Sequence, residues 1–362
     1  MDEKLEKIFR NKKILVTGGT GSIGREIVKS LLKYKPEVVR IFSNDENNTF
    51  KMMQELGKKG KRFLIGDIRD KDRLIRAMED IDIVYHAAAL KHVPLCEYNP
   101  FEAVKTNVLG TQNVIDAAIK TGVKKVINIS TDKAVNPTST MGATKLLAEK
   151  LMTDANFYKG PSKTIFSSVR FGNVLFSRGS VIPLFEEQIK KKKMITITNP
   201  NMTRFMMSKA NTVELIFKAT LMAKGGEVFI LKMPVVKLGS LADVAISTYS
   251  QKYKFKEEDI KKEHIDLRPG EKMFEELVSE TEGAKLFETE DMLIVPPQVE
   301  LPNINFETSD YQNVVYSKLN RYTSREIEPI SKEEIRKTIF EAERIKEKLE
   351  KKLDDDFDKI EK

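Results

Sequence analysis

The chain of 362 residues has one cysteine, Cys96, and three histidines, His86, His92 and His264. A single cysteine forms no intrachain disulfide and excludes a cysteine-built metal centre. Three histidines leave little for a metal cage, so no metal is expected. That cysteine usage fits a reducing, cytoplasmic compartment. No apolar run approaches the roughly 18–20 residues that span a bilayer. The opening residues, MDEKLEKIFRNKK, mix both charge signs and lack the apolar stretch of a secretion signal. A soluble intracellular protein with no membrane partner is expected. Excess charge of one sign is also small: 62 Lys and Arg against 54 Asp and Glu give +8. The basic residues are dispersed, and their densest cluster runs only from Lys190 to Lys193. This argues against a nucleic-acid partner and suits a small phosphate-bearing substrate.

Hydrophobic residues make up 40% of the chain, enough for a full core. At roughly 100–200 residues per domain, the length allows one large domain or two moderate ones. Short β-branched and aliphatic runs at Lys13–Thr17, Val38–Phe42, Phe63–Ile65, Ile83–Tyr85 and Lys125–Ile129 predict strands. Helical spacing separates them at Ile23–Leu32, Thr49–Leu56, Lys71–Met78 and Phe101–Thr121. Strand and helix alternate every 20–30 residues or so, which predicts βαβ crossovers and a parallel sheet buried on both faces. The expected fold is α/β, a Rossmann-type doubly wound sheet over 1–170. Beyond it the rhythm loosens and proline recurs, which predicts a smaller irregular substrate lobe over 171–325, with the chain crossing between lobes. Residues 326–362 read as a charged helix, with Ile335, Ile339, Ala342, Ile345 and Leu349 at helical spacing, fraying into a tail.

Gly18-Gly19-Thr20-Gly21-Ser22-Ile23-Gly24 follows the first predicted strand and opens the first helix. Of the three spaced glycines, one permits the tight turn. A second lets a pyrophosphate approach the backbone, and the third lets helix and strand pack closely. The helix start adds free N–H groups and a partial positive charge. This context predicts a bound NAD or NADP. The second strand ends in Ser43-Asn44-Asp45. Ser43 and Asn44 suit a 2′-phosphate and Asp45 suits a ribose, so both cofactors stay open, with NADP favoured. Asp67 and Ile68, after the third strand, sit where an adenine is held; for Asp67 a helix cap is the alternative.

Ala87-Ala88-Ala89-Leu90-Lys91-His92 follows the fourth strand, Ser130-Thr131-Asp132-Lys133 the fifth, and Met141-Gly142-Ala143-Thr144-Lys145 comes soon after. With the glycine loop, these resemble the extended short-chain dehydrogenase/reductase superfamily. STDKAVNPTSTMGATKLLAEK, VRFGNVLFSRGSVIPLF, MTRF and RPGEKMFEEL narrow the resemblance to its polysaccharide-biosynthesis branch, the UDP-N-acetylglucosamine 4,6-dehydratases. It runs from about Lys12 to Val295. The superfamily carries Tyr-x-x-x-Lys, in which the tyrosine is the acid/base beside the nicotinamide. Here that position is Met141, whose thioether takes no proton, and some dehydratases of the branch share this variation.

The resemblance implies a hydro-lyase. A hydride leaves C4 for the nicotinamide, the C5 proton and the 6-hydroxyl are lost, and the hydride returns to C6, so the tightly bound cofactor is regenerated. Lys133 is assigned as the C5 base and Asp132 as the acid for the departing hydroxyl. Both then need protonation states that burial favours and that direct ion pairing between them opposes, so the reversed assignment stays open. Thr131 hydrogen-bonds the C4 oxygen. Lys145, one turn beyond Met141, holds the nicotinamide ribose, and Ala87 and Ala88 complete the cofactor set. With Met141 unable to act, Asp132, Lys133 or water deprotonates the 4-hydroxyl. For UDP-N-acetylglucosamine the resemblance points to Asn173, Arg204 and Arg268 at phosphates or sugar, Glu271 at ribose hydroxyls and Lys91 at the sugar. Ile197, Thr198 and Met202 lie against uracil. The expected product is a UDP-4-keto-6-deoxy-HexNAc, inverted at C5, for a surface polysaccharide or glycan, made by a homodimer or hexamer. Two alternatives remain: a UDP-sugar 4-epimerase of the same superfamily, or a non-catalytic nucleotide-sugar-binding protein.

Overall fold

The computed structural model of the protein describes residues 2–267, 270–298, 306–311 and 313–343. The chain divides into two compact units. The first comprises Met1–Gly172, Ala210–Lys232 and Glu276–Thr323; the second comprises Asn173–Lys209, Met233–Glu275 and Ser324–Lys362.

The first unit is built on a ten-stranded sheet. Its first six strands are β1 (Lys13–Thr17), β2 (Val38–Ser43), β3 (Lys61–Ile65), β4 (Ile83–His86), β5 (Lys125–Ile129) and β6 (Ile165–Arg170). They lie in the order β3-β2-β1-β4-β5-β6, all parallel, so the order reverses between β1 and β4. This is the α/β Rossmann-type sheet expected, and ligands of such sheets bind at the carboxyl ends near the reversal. Four of the five residues of β1 and of β5 are buried, as is all of β4, because helices cover both faces. Leu15, Val84, Val126 and Phe166 from the strands pack with Leu74, Val114 and Met152 from the helices. Val228–Leu231 extends the sheet in parallel beside β6. Met292–Val295, Phe287–Glu288 and Val315–Tyr316 then add antiparallel edge strands.

One expected helix is not uniform. Phe101–Thr121 reads as a single amphipathic run, but the structure has short helices at Val93–Tyr98 and Pro100–Ala103, a π-turn at Val104–Leu109, and an α-helix from Gly110 to Thr121. The widened turn carries Asn107, whose side chain is buried. Asn107 Nδ2 donates to the Leu90 carbonyl at 3.0 Å and its Oδ1 accepts from Leu90 N at 2.8 Å. The π-turn thereby fixes the segment after β4, and insertions of this kind recur at functional sites.

In the second unit, helices Val181–Lys192 and Leu238–Tyr253 share one apolar core with Met194–Ile197. Lys261–His264 pairs in parallel with Met194–Ile197, and Thr203–Met207 pairs with Val235–Lys237 and Asn173–Val174. Residues 332–343 are helical and bury Ile335 and Ile339 in that core. Ile345, Leu349 and the charged tail lie outside the described residues.

Candidate active site

The glycine loop joins β1 to the helix Ser22–Leu32. Gly18 has φ +62°, and a Cβ there would lie 2.7 Å from the Ala88 backbone. A Cβ on Gly24 would lie 2.3 Å from the Gly18 carbonyl oxygen. Neither position admits a side chain, so the loop stays flat enough for a pyrophosphate. Gly21 caps the helix without a side-chain acceptor, and a helix start of this kind suits an anion. Thr20 Oγ1 and Ser43 Oγ share a hydrogen bond of 2.7 Å, tying the loop to the end of β2. These residues fit a dinucleotide.

At the end of β2, the Asp45 carboxylate accepts from Asn48 N at 3.0 Å and caps the helix Glu46–Leu56. Asn44 Nδ2 donates to Asp67 at 3.1 Å, and Arg69 reaches both Asp67 oxygens through Nε and Nη2. Burial raises the Asp67 carboxyl, but these hydrogen bonds outweigh it and hold it below the usual range. Asp70, not Asp67, caps the helix Lys71–Met78. The Ile68 side chain is buried in the core. Ala87 N donates to the Thr17 carbonyl and Ala88 N to Thr17 Oγ1, which holds that segment along β1. Lys91 is exposed just beyond the clamped Leu90.

Thr131, Asp132 and Lys133 leave the carboxyl end of β5 in a single 3₁₀ turn. Thr131 Oγ1 donates to Asp132 Oδ1 at 2.8 Å, and Lys133 Nζ lies 3.2 and 3.1 Å from the two Asp132 oxygens. The Asp132 side chain is 4% exposed and that of Lys133 is 37% exposed. The pairing that opposes the assigned proton states is therefore present. Helix Thr140–Tyr158 begins against this turn: a Cβ on Gly142 would sit 2.3 Å from the Lys133 carbonyl oxygen. Met141 is buried with Cys96 and Ala103. Lys145 is also buried, and its Nζ donates to the Ile129 carbonyl at 2.7 Å. Burial pulls Lys145 down to about 8, with Glu149 opposing.

A buried chain of hydrogen bonds that sequence reasoning missed runs beneath these groups. His86 Nδ1 meets Thr17 Oγ1 at 2.8 Å and His86 Nε2 meets Thr111 Oγ1 at 3.1 Å. Thr111 spends its one hydrogen on the Asn107 carbonyl at 2.7 Å. Thr111 therefore accepts from Nε2–H, and Thr17 donates to an unprotonated Nδ1. Burial, aided by the charge of Lys145, lowers His86 to about 3, consistent with this neutral tautomer.

The second unit gathers another set. Asn173 Nδ2 donates to both oxygens of Glu275, at 2.8 and 3.0 Å. Arg204 lies 3.5 Å from both Glu271 and Glu275, and its Nη2 lies 3.2 Å from Met202 Sδ. Thr198 Oγ1 also reaches Met202 Sδ at 3.2 Å. Ile197 and Met202 are buried in the core of this unit. Glu275, the shared hub, was overlooked in the sequence; its signal was the second acidic position one turn after Glu271 in the RPGEKMFEEL segment. Arg268 lies outside the described residues. Among the described residues no three His, Cys, Asp or Glu side chains converge as a metal site, and no helix is long and apolar enough to cross a membrane.

Residues 14–297 match the family described as polysaccharide biosynthesis protein, and the chain belongs to that family. It is 53% identical to an uncharacterized membrane protein of Methanocaldococcus jannaschii, over 94% of this chain and 99% of the relative. It is 44% identical to an inverting UDP-N-acetylglucosamine 4,6-dehydratase of Campylobacter jejuni, over 81% and 85%. Among solved structures, Pen from Bacillus thuringiensis is 48% identical with a TM-score of 0.85, covering 92% of this chain and 98% of that one. Rickettsial relatives named UDP-glucose 4-epimerase are 37–38% identical over 94% of this chain. Those of these relatives that are named for an activity are a UDP-sugar dehydratase and UDP-sugar epimerases.

Proposed function

We propose that this member of the polysaccharide-biosynthesis family is a UDP-N-acetylglucosamine 4,6-dehydratase, a hydro-lyase that yields a C5-inverted UDP-4-keto-6-deoxy-HexNAc for a surface polysaccharide or glycan. The observation that carries the reading is the Asp132–Lys133 pair on one turn at the end of β5. Epimerisation at C4 needs only oxidation and re-reduction, whereas loss of water needs an acid and a base side by side.

A dinucleotide bound in the first unit supplies hydride acceptance at C4 and donation at C6. Gly18, Thr20, Gly21, Ser22, Ile23 and Gly24 would hold its pyrophosphate, and Lys145 its nicotinamide ribose. We favour NADP, because Asp45 is engaged as a helix cap while Asn44 stands beside the Arg69–Asp67 pair. Lys133 takes the C5 proton and Asp132 protonates the departing 6-hydroxyl. In the second unit, the Arg204 fork suits a phosphate, steered by Glu271 and Glu275. Leu95, Tyr98, Phe101, Leu109 and Leu147 form exposed apolar positions on the helices from Val93 to Thr121 and from Thr140 to Tyr158, which suits a homo-oligomer. The deciding experiment is NMR of the purified protein with UDP-N-acetylglucosamine in D₂O. A 4-keto-6-deoxy product deuterated and inverted at C5 is expected; a C4 epimer with no loss of water refutes the reading.

A further inference from the structure

At the amino ends of β5 and β6 the first unit holds a cavity of about 470 Å³. The glycine loop and the Asp132–Lys133 turn lie at the opposite, carboxyl ends of the sheet. β5 has five residues, which sets its two ends roughly 17 Å apart. One wall of the cavity is the link from helix Gly110–Thr121 into β5, and the other is the link from helix Thr140–Tyr158 into β6. Lys120 and Lys124 line it from the first link, Lys159 and Lys163 from the second, and no acidic residue lines it. Lys124 is neutralised by Asp82 at 2.6 Å. Among the described residues, Lys120, Lys159 and Lys163 have no acidic partner. A cation at the end of a helix offsets the helix dipole, which accounts for Lys120 in a last turn and Lys159 at a cap. It does not account for Lys163, which stands on the loop before β6. Lys159 is also half-buried: its Nζ donates to the Thr164 carbonyl at 2.7 Å, and burial lowers its proton affinity with no carboxylate in opposition.

The walls are held in place without a ligand. Ser162 N donates to the Lys159 carbonyl at 3.2 Å, and Ser162 Oγ meets Thr164 Oγ1 at 2.8 Å. Thr164 Oγ1 donates to the Val123 carbonyl at 2.6 Å, which ties one wall to the other. Gly122 turns the first link at φ +72°, and a Cβ there would meet nothing within 4 Å, so that side of the cavity is open. We infer that this cavity is a binding site for a small anion with clustered phosphates, a diphosphate in its simplest form, held by Lys120, Lys159 and Lys163. Two linked phosphates bring roughly three negative charges near neutral pH, which matches the three uncompensated ammonium groups. A single carboxylate leaves most of that charge unanswered. Concave walls that include Ile119, Val123 and Pro161 concentrate the positive field. A site whose loops are already ordered loses less freedom when it binds.

The test is calorimetry of inorganic pyrophosphate with the full chain, saturated beforehand with NADP and UDP. Binding at one site is expected, and the double variant Lys120→Gln with Lys163→Gln should weaken it by at least about tenfold through loss of two charge-assisted contacts. Both side chains are exposed, so an unchanged urea midpoint is expected to show that the variant folds as the wild type does. Orthophosphate at the same ionic strength should bind more weakly than pyrophosphate. Absence of binding to the wild type overturns the proposal. So does pyrophosphate affinity that persists in the double variant, which would place the anion at the glycine loop or Arg204. Equal affinity for orthophosphate and pyrophosphate also overturns it, because diffuse attraction to a basic surface then suffices. These outcomes do not depend on the dehydratase reading, since Lys120 and Lys163 belong to neither the cofactor nor the sugar set.

Discussion

Gly142→Ala tests whether the start of helix Thr140–Tyr158 positions the Asp132–Lys133 turn for the proposed reaction. The added Cβ would stand 2.3 Å from the Lys133 carbonyl oxygen, 3.1 Å from Pro137 Cβ and 3.3 Å from the Lys133 carbonyl carbon. Two of these neighbours are backbone atoms, so no rotamer change relieves the contact. Ordinary contact begins at 3.4 Å, so the turn must retreat by about 1 Å. The helix itself gains up to about 1 kcal/mol from alanine over glycine, while overpacking costs about 1–3 kcal/mol. The net loss of stability is therefore at most about 3 kcal/mol. The functional loss is expected to be larger, because a displacement of about 1 Å at a reacting group can cost ~10²-fold in rate. Urea unfolding and the steady-state rate of UDP-N-acetylglucosamine dehydration are measured on the same preparation. A variant with modestly reduced stability and a ~10²-fold lower kcat is expected. A variant with wild-type kcat would show that the turn tolerates the displacement and would refute the positioning argument.

Two further outcomes follow from the same geometry. In Gly24→Ala, the new Cβ meets the Gly18 carbonyl oxygen at 2.3 Å, so affinity for NADP or NAD by calorimetry should fall by at least about tenfold, and an unchanged Kd would contradict the role given to the loop. Lys145 lies near 8 in the fold, below the ordinary lysine value of ~10.4, so between those values the unfolded chain binds more protons and stability rises with pH. The stability difference between wild type and Lys145→Met should shift toward wild type by about 2 kcal/mol from about pH 7 to about pH 10, read from urea midpoints; parallel curves would show that Lys145 keeps its ordinary proton affinity.

Local patterns were readable and long-range partnerships were not. The glycine spacing, the aliphatic strands β1 to β5 and the Asp132–Lys133 turn each sit within a few consecutive residues, where period and turn chemistry act directly. The antiparallel strands Phe287–Glu288 and Val315–Tyr316 are two residues each, too short for alternation to show. The π-turn at Val104–Leu109 keeps helical apolar spacing on both sides, so its extra residue hides within an ordinary helix pattern. His86 gave no signal of its role because its partners lie 69 and 25 residues away. By sequence alone Asp67 suits either an adenine ligand or a helix cap. The cap falls to Asp70 because only that carboxylate is placed to accept the Arg73 N–H.

The charge states of the site depend on such distant partners more than on the motif residues themselves. Glu149 lies one helical turn beyond Lys145, a spacing that on an isolated helix favours an ion pair and a lysine that stays charged. Arg170, at the end of β6, takes that carboxylate instead, with Nε 3.1 Å from one oxygen and Nη2 2.6 Å from the other. Arg170 is itself buried, and burial works against its charge, but Glu149 and Glu282 together more than compensate and keep it cationic. Lys145 is left with the Ile129 carbonyl as acceptor, and desolvation prevails over the remaining pull of Glu149. The lysine is thereby drawn down to about 8, well below its ordinary value. No stretch of sequence around Lys145 contains that outcome, because Arg170 reaches Glu149 from β6 and is itself held by Glu282 from the segment after Leu277.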